Sequence, residues 1–81
     1  MEEKQKLLNV LQDINPDINY ESELNMVDDG LIDSLEITVL IVALNDAFNI
    51  RIQNKDIEPE NFNSLAGILN TIRKYKKEHD T

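Results

Sequence analysis

The sequence has no cysteine, one histidine and two glycines, and each shortage removes a class of chemistry. Without thiols there is no disulfide framework, thiolate zinc site or cysteine nucleophile, which fits a reducing compartment, and the expected location is the cytoplasm. The lone histidine, His79, falls in the polar tail "RKYKKEHDT", where a terminus is expected to fray, so a Ser-His-acid triad is not expected. Gly30 and Gly67 do not form a Walker loop or a GxGxxG turn, and no HExxH occurs. No apolar run approaches the roughly 18 residues of a membrane span, and "MEEKQKLLNVLQ" carries charge where a signal peptide needs its apolar stretch. The protein is expected to be neither exported nor membrane-embedded.

Basic residues are also scarce. Sixteen acids face eight bases, a net charge of −8. The imbalance is concentrated in residues 1–50, where eleven acids meet only Lys4 and Lys6, giving −9 and leaving residues 51–81 at +1. Such a front half repels nucleic-acid phosphates and anionic lipid and attracts basic protein surfaces, so nucleic acid is not expected, and charge alone leaves two readings: attraction of a basic partner protein, or acids that merely keep a small protein in solution. Crowded acids also predict that added salt raises the melting temperature. Four aromatics and 41% apolar residues point to a modest aliphatic core, and 81 residues suit one small domain over 1–81.

The apolar spacing reads as all-α, a small four-helix bundle. Leu7, Leu8, Leu11 and Ile14 form one stripe and predict helix I over about 2–14, limited by Pro16. Residues 15–33 form a loop that is long for so small a protein, and long ordered loops usually have a job. Helix II is expected over about 34–48. After the punctuation of Asn49, Asn54, Pro59 and Asn63, Ile57 and Phe62 suggest a short helix III over about 54–62, or a turn, anchored against the core. Ser64 reads as the N-cap of helix IV, about 64–77, carried by Leu65, Ile68, Leu69, Ile72 and Tyr75. Arg73, Lys74, Lys76 and Lys77 then complement that helix's dipole.

The stretch "DDGLIDSLEI", residues 28–37, concentrates the functional signal. Gly30 permits a turn, Asp33 is a good N-cap, and Glu36 three residues later completes a capping-box pattern. Ser34 is thereby placed in the first turn of helix II, where free backbone N–H groups favour a phosphate-bearing adduct. Helix II holds more apolar residues than one core face needs. Ile37, Leu40, Ile41, Leu44 and Phe48 make one stripe, and Leu35, Val39 and Val42 fall on a neighbouring face with Thr38, Asn45 and Asp46. Two readings follow: a central helix buried nearly all round, or a helix whose second face is a docking surface beside Ser34.

A calcium reading also exists. With Gly30 sixth in an EF-hand loop, Asn25, Asp29, Ile32, Asp33 and Glu36 take positions one, five, eight, nine and twelve. Val27 then occupies the third position, which must supply oxygen, and no second such loop occurs.

Asp33-Ser34-Leu35 within "GLIDSLEI", continued by "LIVALNDAFNIRI" and "NSLAGILNTIRKY", resembles the acyl carrier protein family over roughly residues 4–77. The resemblance implies a four-helix bundle of acyl-carrier type, with a long loop between helices I and II, and a non-enzymatic role. Ser34 would carry 4'-phosphopantetheine, whose thiol holds an acyl or aminoacyl group as a thioester for partner enzymes. A phosphopantetheinyl transferase would activate the hydroxyl, which explains the missing base, and Asp33 would stand near the phosphate. Leu35, Glu36, Val39, Val42 and Asp46 would meet partners bearing basic patches, namely a loading ligase and acyl-transfer enzymes. The carrier is expected to be a monomer. Val39 and Asn45 stand where fatty-acid-type carriers often have acids, whereas "DDGLIDSL" and "IEPENFNSLAGI" look more like D-alanyl carriers and stand-alone carriers beside adenylating ligases. Cargo thus divides between an amino acid such as D-alanine and a fatty or other acyl group. The reading from another class is a non-catalytic acidic interaction module in which Ser34 is only a helix residue.

Overall fold

The computed structural model describes residues 2–79, with side chains from 3 to 76. Its order is α1 (Glu2–Ile14), α2 (Ser34–Phe48), a 3₁₀ turn (Asn54–Asp56), α3 (Pro59–Phe62) and α4 (Leu65–His79), with no strand among the described residues. The fold is all-helical. The side chains of His79 and Lys77, read from the sequence as tail and dipole partners, lie outside the described residues.

α1 buries Leu7, Leu8 and Leu11 along one stripe, with Ile14 partly covered at its end. α2 meets them with Leu40, Ile41, Leu44 and Phe48, and α4 supplies Leu65, Ile68, Leu69, Ile72 and Tyr75. One hydrophobic cluster joins all of these to Phe62 of α3. Both ends of α2 are determined by asparagine or aspartate chemistry. Asp33 caps the start, and Asn49 ends the helix in the left-handed conformation (φ 55°), its N–H donating to Asn45 O. Asn45 Oδ1 then accepts from Ile52 N at 3.0 Å, which turns the backbone and seats Ile52 in the core. Asn45 therefore serves the bend after α2 and is half-buried, not part of an open face with Thr38 and Asp46.

The short helix III expected over about 54–62 is corrected to two separate pieces. Proline disfavours helical geometry in the residue before it, and Glu58, preceding Pro59, is extended (φ −125°, ψ 149°). The segment accordingly breaks into the 3₁₀ turn and the single turn of α3. The 3₁₀ turn is tied to α4 by Asp56. The Tyr75 hydroxyl donates to its carboxylate, Lys74 Nζ lies 3.2 Å from both oxygens, and Tyr75 Oη accepts from Gln53 N. The Tyr75 bond, followed by Lys74, holds the Asp56 carboxyl below its ordinary value. Burial, and then this carboxylate, raises the Tyr75 hydroxyl.

α4 starts as expected: Ser64 Oγ accepts from Gly67 N at 3.1 Å. Gly67 has a second role, because a Cβ there would come within 3.2 Å of Asn61 O and 3.3 Å of Glu60 O. The lack of a side chain is what lets α3 fold so tightly against α4. The basic end of α4 is used in ion pairs as well as in the dipole, with Arg73 and Lys76 reaching Glu3 at 3.3 and 2.8 Å. These two cations hold Glu3 below the ordinary carboxylate value, Lys76 first.

Candidate functional site

The long loop is ordered by three buried side chains: Tyr20, Met26 and Ile32. Tyr20 Oη donates to the end of α1, where Leu11 O and Asn15 O lie at 3.0 and 2.8 Å. Burial, and secondarily the Glu36 charge, raises the Tyr20 hydroxyl above its ordinary value, so it remains a donor. Gly30 (φ 79°) reverses the backbone, and Met26 O accepts from Leu31 N and Ile32 N. This turn delivers Asp33 to the start of α2, extended and outside the helix, with its Oδ1 accepting from Glu36 N at 2.8 Å.

Ser34 is the first residue of α2 and is exposed. Its carbonyl takes the Thr38 hydroxyl at 3.1 Å, inside the helix ladder. Of the expected capping box, the half that runs from Asp33 to the Glu36 amide is formed. The Glu36 carboxylate instead points to Asn15 Nδ2 at 3.4 Å, tying the start of α2 to the end of α1. Sequence reading had no signal for this pairing across 21 positions.

From Ser34 onward, α2 shows two different faces. Leu35, Val39 and Val42 are 74%, 48% and 65% exposed, so the reading of a helix buried nearly all round is overturned. They lie at i, i+4 and i+7, one strip along the helix. Asp46 is exposed at the far end, Glu36 is half-buried, and Leu31 adds exposed apolar surface just ahead of the helix. The structure brings Asp28, Asp29, Asp33 and Glu36 to the Ser34 end, and among the described residues no ion pair reaches any of them. The two cations of the front half are directed elsewhere: Lys4 to Glu21 at 3.7 Å and Lys6 over the Phe48 ring at 5.0 Å. The result is an apolar strip beside uncompensated negative charge, which suits a partner that is greasy at its centre and basic at its rim.

The calcium reading finds little support in this loop. An EF-hand needs a helix running into the first ligand, whereas α1 ends at Ile14, well ahead of Asn25. Asp33 is occupied as a cap, and among the described residues no group of three acids or histidines is arranged to hold a metal ion. No helix there is long and apolar enough to cross a membrane.

The residue that sequence reading passed over is Asn63, read only as punctuation. Its Oδ1 accepts from Val27 N and Asp28 N at 2.9 and 3.0 Å, its Nδ2 donates to Asp28 Oδ2 at 3.2 Å, and its own carbonyl takes Met26 N at 2.9 Å. Asparagine between two helices is a common helix end, so nothing local reveals a clamp reaching back 35 positions.

No family model matches the sequence, and no solved structure matches it. The protein is similar to the D-alanyl carrier protein of Lactococcus lactis subsp. lactis, 23% identical over 78 residues, covering 94% of this sequence and 99% of that one. It is also similar to the acyl carrier protein of Buchnera aphidicola subsp. Baizongia pistaciae, 43% identical over 54 residues, or 67% of each sequence. With that identity over two thirds of both sequences, and an all-helical bundle of the same small size, the protein belongs to the acyl carrier protein family.

Proposed function

We propose that this protein is a non-enzymatic carrier that holds an acyl or aminoacyl group as a thioester on 4'-phosphopantetheine attached to Ser34. The observation that carries the reading is the position of Ser34: exposed, first in α2, behind a capped turn, and adjoining the exposed strip Leu35, Val39 and Val42. The residues present fit the arm. A serine hydroxyl in the first turn of a helix offers a phosphodiester the positive end of the dipole, and Asp33 keeps that turn in place. When bound, the arm supplies a thiol that bears the cargo.

The protein's own residues provide position and recognition. The Ser34 hydroxyl oxygen bonds to phosphorus of coenzyme A, the phosphoanhydride bond breaks, the nucleotide leaves, and a transferase takes the proton. No base beside Ser34 is needed for that division of labour. Leu35, Val39 and Val42 bind the apolar centre of a partner, and Glu36 and Asp46 meet its basic rim. Partners on this reading are the transferase, a loading ligase and acyl-transfer enzymes, in the cytoplasm.

Intact mass tests the reading. Incubation with coenzyme A, magnesium and a broad-specificity phosphopantetheinyl transferase should add one phosphopantetheine to the wild type and none to Ser34→Ala. A folded wild type that gains no mass would return Ser34 to an ordinary helix residue and favour the interaction module. Offering the modified carrier either D-alanine or a fatty acid, each with the matching ATP-dependent ligase, then separates the two cargo classes.

A further inference from the structure

We propose that Asn63 is a positioning residue for modification of Ser34, an inference that rests on the carrier reading above. Its side chain is the hydrogen-bonding piece of α3's C-terminal end that acts on the loop leading into α2. One amide group satisfies two successive backbone donors, Val27 N and Asp28 N, and also donates to the Asp28 carboxylate. The Asn63 carbonyl takes the donor just before them, Met26 N. Three consecutive residues of the loop are thereby fixed to one residue.

The effect reaches Ser34 through a short run of direct bonds. Val27, whose N–H the Asn63 side chain holds, accepts from Gly30 N at 3.1 Å through its own carbonyl, and Met26, fully buried, accepts from Leu31 N at 2.8 Å and Ile32 N at 3.1 Å, so the turn around Gly30 closes on the segment that Asn63 grips. Ile32 is buried next to Asp33, and Asp33 caps α2 through Glu36 N. The orientation of the Asp33–Ser34 junction is therefore set at one end by Asn63. Glu36, held to Asn15, fixes the other side of the same junction. A transferase must bring a phosphate to the Ser34 oxygen within a fraction of an ångström, so a loosened turn costs rate even when the helices remain packed.

The polarity of the amide makes the idea testable. Asn63→Ala keeps the backbone bond to Met26 and loses the three side-chain bonds. Asn63→Asp keeps the acceptor for Val27 N and Asp28 N but sets a carboxylate against Asp28. In the double variant D28N/N63D the roles are reversed: the amide introduced at position 28 donates to the carboxylate introduced at position 63. Modification would be followed by intact mass at temperatures where circular dichroism shows every variant folded. Asn63→Ala and Asn63→Asp should each lower kcat/KM for the carrier by roughly tenfold, and D28N/N63D should recover to within about twofold of wild type. The backbone amide signals of residues 33–36 should shift in Asn63→Ala and Asn63→Asp and return in the double variant.

Wild-type rates in folded Asn63→Ala and Asn63→Asp, unmoved amide signals, or a double variant no better than Asn63→Asp would each overturn the proposal. A wild type that takes no adduct would instead remove the carrier reading. The amide signals would still decide whether Asn63 sets the geometry of the Asp33–Ser34 junction.

Discussion

The two faces of α2 are built from the same kinds of residue and meet different fates. Leu40, Ile41, Leu44 and Phe48 lie against α1 and α4, while Leu35, Val39 and Val42 stand in solvent. Burial of apolar area gains roughly 25 cal/mol per Å², and the second face forgoes most of it. Three aliphatic side chains aligned beside Ser34 therefore contribute less to the fold than their buried counterparts, and on the proposed function they are the strip that a partner covers. The charges tell the same story. Lys4 pairs with Glu21, Arg73 and Lys76 with Glu3, and Lys74 with Asp56, and among the described residues no ion pair reaches the acids at the Ser34 end.

The sharpest way to break this comparison is to truncate one residue on each face. Leu44→Ala should cost about 2–5 kcal/mol in urea unfolding, since it opens a cavity in a fully buried site. Leu35→Ala should stay within about 0.5 kcal/mol. It should nonetheless slow modification of Ser34, with the loss appearing as a weaker apparent affinity for the transferase. Equal stability losses on the two faces would mean that the exposed strip also belongs to the core.

A smaller effect concerns the cap. Asp33→Ala removes the acceptor of Glu36 N and should cost about 1 kcal/mol, whereas Asp33→Asn should retain most of it. Thermal melts of both variants check this. Identical losses would indicate that charge at the helix start, not the hydrogen bond, carries the effect.

The α3–α4 end should respond to pH. Asp56 lies below its ordinary value of 3.8, chiefly through the Tyr75 hydroxyl and then Lys74, so its ionised form favours the fold. That contribution is complete above the unfolded-state value and is lost as pH falls through the lower folded value. Melting temperatures of wild type and Asp56→Asn should differ near neutral pH and converge well below 3.8. Glu58 runs the other way, raised chiefly by its hydrogen bond with Glu60, so the difference between the two proteins is the quantity to follow. A gap that persists in acid would assign the stabilisation to geometry and not to charge. The smallest effect is that of salt: added sodium chloride should raise the wild-type melting temperature by screening the front half, and an unchanged value would deny that repulsion matters.

The helices were legible because their signals are local. Leu7, Leu11 and Ile14, or Leu65, Ile68 and Ile72, repeat at helical spacing, and Asp33 and Ser64 announce helix starts in their own sequence neighbourhood. The place of Ser34 at the start of α2 was legible in the same way, from Gly30, Asp33 and Glu36 around it, whereas its reading as an attachment point came from the family resemblance. The surplus of apolar residues in α2 raised the question of a second face but left two answers open, and the exposure of Leu35, Val39 and Val42 in the fold decides between them. Side-chain bonds across the fold left no trace. Asn63 to Asp28, Asn45 to Ile52 and Asn15 to Glu36 are ordinary asparagines in the sequence, and only tertiary structure assigns each its partner. The break at Glu58 lay within reach, because Pro59 restricts the residue before it, yet Ile57 and Phe62 suggested a helix strongly enough to obscure it.

The most direct test of an exposed working face on α2 is to titrate a phosphopantetheinyl transferase into isotope-labelled carrier and follow the backbone amide signals. The changes should gather at Ser34, Leu35, Glu36, Val39, Val42 and Asp46 and leave the outer surface of α4 unmoved. Changes gathered on α4, or none at concentrations that support modification of Ser34, would contradict the assignment of that face.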